Sequence, residues 1–157
     1  MNATETLTGK YLAYVAIGGA LAAALTGLIV AVLDVPIASS VVEVAIVIGL
    51  TLFASIGVGF IISLASATDA QAVQYTMVVL LASLFFSGFF LAVGQMEGPA
   101  RFISYVLPVS YGMAMLRDVM LRGAPIDNEL LLGLIAFGVV AFAISLLGAR
   151  RRTSIAR

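Results

Sequence analysis

Cysteine, histidine and tryptophan are all missing from this sequence. Without cysteine there is no disulfide and no thiolate nucleophile. Without histidine there is no imidazole metal ligand and no Ser-His or Cys-His pair. Charge is scarce too. The 8 basic and 8 acidic residues cancel at pH 7 and make up only 10% of the chain, against roughly 25% in a soluble domain. Sparse, balanced charge with no basic stripe argues against a nucleic-acid partner. What is abundant is apolar surface: 62% of the residues are hydrophobic and the mean hydropathy is +1.18. A chain of 157 residues has too much surface to cover with so few polar groups, unless lipid covers it instead. These features predict a single all-α membrane domain over residues 1–157.

Four apolar runs are long enough to cross a bilayer, which takes about 20 helical residues. They lie at about 11–33, 41–64, 72–93 and 130–148. Glu43 falls near one end of the second run, where its side chain can reach the membrane interface. Asp34-Val35-Pro36 closes the first helix, because proline cannot continue it. Thr68 or Asp69 is the expected cap of the third helix and Asp127 or Asn128 of the fourth. Ala20-Leu21-Ala22 has the form of a signal cleavage site, but the apolar stretch continues well past it. Small residues at intervals of four (Gly18, Gly19, Ala22 and Ala23 in the first run, Ser55 and Gly59 in the second) predict close helix packing.

Arg150, Arg151, Arg152 and Arg157 follow the last run. The preference for cytoplasmic Lys and Arg then places the C-terminus inside, and four spans return the N-terminus with Lys10 to the same side. The 34–40 loop falls outside and holds no Lys or Arg. The 94–128 segment also falls outside, yet it carries Arg101, Arg117 and Arg122.

That segment is too apolar for an ordinary loop. Pro108 divides two short apolar groups, Phe102–Leu107 and Met113–Leu121. Each half is read as a helix of about 10–14 residues, too short to span, which predicts a re-entrant or interfacial hairpin over about 98–122. Glu97 with Arg101, and Asp118 with Arg122, stand four apart with the acid first, the favourable order on a helix. Arg117 has no obvious local partner. These charges either hold the hairpin at the interface or close a pathway on the outer face.

Catalytic motifs fail on inspection. Ser55-Ile56-Gly57 follows Phe53 where a nucleophile turn needs glycine, and there is no histidine to serve as its base. A dicarboxylate site needs two intramembrane acids, and only Glu43 comes near. Thr8-Gly9-Lys10-Tyr11 lacks the upstream glycine and the Ser or Thr after lysine of a phosphate-binding loop. The expectation is a non-enzyme without cofactor or metal.

The order of parts carries more. A span bearing Leu84-Phe85-Phe86-Ser87-Gly88-Phe89-Phe90 is followed by Met96, then by Phe102-Ile103-Ser104-Tyr105-Val106-Leu107-Pro108. Tyr111, Leu116-Arg117-Asp118, Leu121-Arg122-Gly123, a final span and a basic tail come after it. Glu5-Thr6-Leu7-Thr8-Gly9-Lys10 adds an acid-x-x-x-Gly-Lys segment at the entry to the first span. This ordered set resembles the C-terminal part of the permease subunits of type-2 ATP-binding-cassette exporters. Members of that family usually carry two further spans ahead of these, and often a proline where Glu97 stands.

The resemblance implies a plasma-membrane permease with both termini cytoplasmic, paired with a second permease as homodimer or heterodimer, surrounded by membrane lipid and driven by a separate ATP-binding-cassette ATPase. It implies outward movement of a hydrophobic or amphiphilic compound such as a drug, lipid or polysaccharide. On that reading Glu97, Arg101, Pro108, Tyr111, Arg117, Asp118 and Arg122 belong to an outer gate or re-entrant hairpin. Phe85, Phe86, Phe89 and Phe90 form an outer constriction. The alternative is a truncated or accessory membrane-helix protein without transport of its own.

Overall fold

A computed structural model describes residues 3–33, 38–89 and 98–155. Every regular element in these residues is a helix: α1 Ala3–Leu33, α2 Val41–Ala65, α3 Asp69–Phe86, α4 Pro99–Val106, α5 Pro108–Arg122 and α6 Asn128–Ile155. Four of them (α1, α2, α3 and α6) contain stretches long and apolar enough to cross a membrane, namely Thr8–Val32, Val41–Ala65, Asp69–Phe86 and Asn128–Ala149. The chain is an all-α, multi-pass membrane protein with a short helical hairpin before its last span.

Local chemistry sets the boundaries. Ser40 begins α2 by accepting a hydrogen bond from the Val42 N–H at 3.2 Å. Glu43 in the first turn accepts from the Ser39 hydroxyl and suits the positive end of the helix dipole. At the other end the Ser66 N–H and hydroxyl both return to the Ile62 carbonyl. Thr68 rather than Asp69 caps α3, accepting from Gln71 N–H at 3.3 Å. Asp127 rather than Asn128 caps α6, accepting from Glu129 N–H at 2.8 Å.

Helix α2 is the centre of the bundle and packs against α6, α5, α1 and the edge of α3. Val47 and Ala54 of α2, Met115 of α5 and Leu134 of α6 form the buried core. Contact between α2 and α6 is close because small residues alternate across it. A methyl on Gly57 would lie 2.7 Å from Ala141 Cβ, and one on Gly138 would lie 2.9 Å from Phe53. The Ser145 hydroxyl bonds to the Ala141 carbonyl at 2.8 Å and lies 3.4 Å from that of Gly57. The stripe in use on α2 is therefore Ala54–Gly57, on a different face from the Ser55–Gly59 pair expected from spacing. Gly59 and Gly19 meet nothing within 4 Å, and Gly18 meets only the Leu52 side chain.

Tyr11 joins α1 to this unit. Its hydroxyl donates to the Phe53 carbonyl at 3.1 Å. Its ring packs on Phe53, Phe60 and Phe142 with centroids 4.9–5.2 Å apart. By contrast no residue of α3 is buried.

Helix α3 ends at Phe86. Residues 87–93 are apolar enough for a helix, but Gly88 takes φ 89°, a left-handed conformation that glycine adopts freely and that ends the helix. Residues 90–93 lie outside the described residues. The first helix begins earlier than the apolar run, and the last continues past it through Arg150–Arg152 to Ile155.

Candidate functional site

The hairpin is built around Leu107, which is extended (φ −102°, ψ 120°) and serves both as the C-cap of α4 and as the N-cap of α5. Pro108 follows at the first helical position, where its missing N–H costs nothing. The two arms are unequal, 8 and 15 residues, instead of the similar lengths read from the sequence. Helix α4 leaves Phe102, Tyr105 and Val106 exposed, whereas α5 buries Pro108, Ser110, Gly112, Met115 and Val119.

Helix α5 is thus part of the bundle core and not a strap lying on its surface. A methyl on Gly112 would lie 2.3 Å from Thr51 Oγ1, and Thr51 sits ten residues into α2, about 15 Å along its axis. From that depth α5 rises to Gly123, which ends it in a left-handed turn (φ 62°). The Ala124 N–H closes the turn on the Asp118 carbonyl at 3.1 Å. The Ala38 N–H bonds to the Met120 carbonyl at 3.0 Å. The α1–α2 loop and the top of the hairpin therefore share one end of the molecule, as the topology requires.

The unfinished end of α3 is held by this hairpin. The Phe86 carbonyl accepts from the hydroxyls of both Ser104 (α4) and Ser110 (α5), the latter at 3.2 Å. The Gly88 carbonyl accepts from Arg117 Nη2 at 2.8 Å. Ser110 and Arg117 are seven apart, two helical turns, and so share one face of α5. A helix that stops inside a membrane leaves carbonyls without partners, and lipid offers none. The serines and the arginine supply those donors. Ser87, Ser104 and Ser110 are buried there.

The remaining predicted residues divide around this contact. Asp118 and Arg122 form the expected pair at 2.8 Å, with Arg122 well exposed and Asp118 partly so. Tyr111 donates to the Tyr105 carbonyl at 3.0 Å, bridging the hairpin arms, and its ring lies 3.0 Å from where a methyl on Gly133 would stand. Phe85 and Phe89 are exposed on the surface of α3's end and Phe86 is half-buried. Glu97, Phe90 and the Arg101 side chain lie outside the described residues.

Sequence reasoning missed the roles of Ser104, Ser110 and Gly88, and it left Arg117 unpartnered. The only available signal was the Ser87-Gly88 helix break. Among the described residues no group of His, Cys, Asp and Glu could hold a metal ion.

A family model described as ABC-2 type transporter matches residues 1–121, from α1 to the last turn of α5. No curated protein and no solved structure matches the chain.

Proposed function

Because this chain belongs to the ABC-2 type transporter family, as a multi-pass permease component, we propose that it forms an export pathway with a second permease subunit, powered by a separate ATP-binding-cassette ATPase. The family supports an ATPase partner in general. The exposed apolar faces of α1 and α3 offer surface for a second subunit as well as for lipid. The Lys and Arg distribution supports cytoplasmic termini and a hairpin at the outer side of the plasma membrane. Apolar and aromatic walls at that end, with Phe85 and Phe89 exposed, suit a hydrophobic or amphiphilic substrate.

The observation that carries a gate is the contrast between the two sides of the hairpin. Toward α2 and α6 it is fixed by buried side chains, Met115 and Val119. Toward α3 it is held at a helix terminus by three side-chain donors. Parting Arg117 from the Gly88 carbonyl, together with Ser104 and Ser110 from that of Phe86, lets the outer end of α3 move without unpacking the core. The gate is this swing of α3's end, with Pro108 and Tyr111 keeping the hairpin rigid.

The test is purification of the tagged chain in detergent with its partners identified by mass spectrometry. A nucleotide-binding subunit in stoichiometric amount supports the reading. Recovery of the chain without one points to the accessory alternative.

A further inference from the structure

A groove of about 530 Å³ runs between α1 and α2. Its lining changes character along its length. Lys10, Tyr14 and Ser63 stand at one end, and Phe60, Ile56 and Leu52 follow along α2. Ser63 lies two residues from the end of α2, and Lys10 opens the first span, so the polar end is at the membrane surface. From Ser63 to Leu52 is eleven residues of helix, about 16 Å into the bilayer.

We propose that this groove binds one anionic phospholipid, with its phosphate on Lys10 and the Tyr14 and Ser63 hydroxyls, and with an acyl chain along Phe60, Ile56 and Leu52. The order cation, hydroxyls, apolar wall matches the order of headgroup and chain in a lipid of the adjoining leaflet. A lysine at a membrane end keeps its ammonium at headgroup depth, where it favours negatively charged lipid. The groove is open at Gly59, where a methyl would meet nothing within 4 Å. A second groove on these helices, about 390 Å³ and lined by Gly19, Ala23, Ala45 and Gly49 among others, carries no charged residue. Headgroup selectivity is therefore assigned to the Lys10 groove alone. The assignment requires only that the chain is embedded in a bilayer, and is independent of transport.

Native mass spectrometry of the delipidated full chain, titrated with phosphatidylglycerol or phosphatidylcholine, tests it. The wild type is expected to retain one lipid and to prefer phosphatidylglycerol by about fivefold, the value of a single interfacial lysine. Lys10→Gln should erase the preference while leaving retention. Gly59→Leu should displace both lipids with thermal unfolding unchanged, because the added side chain enters open space. Equal affinity of the wild type for both lipids would overturn the proposal. So would unchanged binding in both variants, or a co-purifying protein segment occupying the groove in place of lipid.

Discussion

Arg117 reaches back 29 residues to donate a 2.8 Å hydrogen bond to the Gly88 carbonyl, so the last turn of one span depends on a side chain from the following hairpin. Side-chain hydrogen bonds inside membrane proteins average only about 0.6 kcal/mol in stability. Arg117→Met should therefore leave the bundle folded. What it should change is local: amide exchange at Ser87–Phe89 is expected to rise, while α2 and α6 keep their protection. Arg117→Lys, which keeps a single donor, should fall between. Uniform exchange across all helices would instead mean that the contact supports the whole fold.

The Asp118–Arg122 pair behaves differently, because both side chains meet solvent. Exposed pairs four apart on a helix contribute roughly 0.3–0.5 kcal/mol. Asp118→Asn with Arg122→Gln should shift thermal unfolding in detergent very little, and raising the salt should mimic the change in the wild type.

Gly112 should be among the least tolerant positions. A methyl there would lie 2.3 Å from Thr51 Oγ1, and Thr51 is pinned by its own 2.7 Å bond to the Val47 carbonyl. Gly112→Ala should cost about 1–3 kcal/mol as overpacking. Adding Thr51→Ala should recover much of that loss, a coupling that a double-mutant cycle of thermal shifts measures.

Gly57 and Gly59 separate the bundle face of α2 from its outer face. Gly57→Ala would push a methyl to 2.7 Å from both Ala141 Cβ and the Tyr11 hydroxyl, and should lower stability by about 1–3 kcal/mol. Gly59→Ala meets open space and should be neutral or gain up to about 1 kcal/mol from helix propensity. Equal effects would mean that α2 packs on a different face.

Absence of cysteine makes the topology directly measurable. Pro125→Cys, beside the hairpin, should react with an impermeant maleimide in intact cells. Ala67→Cys, between α2 and α3, should react only after the membrane is opened. The reverse pattern would invert the orientation and put the hairpin inside.

What the sequence made legible was local. Run length anticipated four helices long and apolar enough to cross a membrane, acid-first spacing found Asp118–Arg122, and Thr68 and Asp127 were among the cap residues anticipated. The misses are non-local or degenerate. Helix α2 is apolar nearly all round, so periodicity could not tell the bundle stripe at Ala54 and Gly57 from the neighbouring one at Ser55 and Gly59. The end of α3 was hidden because residues 87–93 are as apolar as a helix, and a single left-handed glycine decides the matter. Partners of Arg117, Ser104 and Ser110 are backbone carbonyls 18–29 residues away, which no spacing rule reaches. Tyr11 marked the start of a span, yet its aromatic neighbours lie on two other helices.

The most direct test of the account is ATP-dependent transport by the purified permease with its co-purifying ATPase, comparing wild type with Arg117→Met in the same vesicles. The hairpin gate predicts a stoichiometric nucleotide-binding subunit in both preparations and export quickened up to about threefold in the variant, because losing a bond worth roughly 0.6 kcal/mol eases the opening step. Equal export rates would contradict the hairpin gate, and absence of a nucleotide-binding subunit from both preparations would contradict the exporter itself.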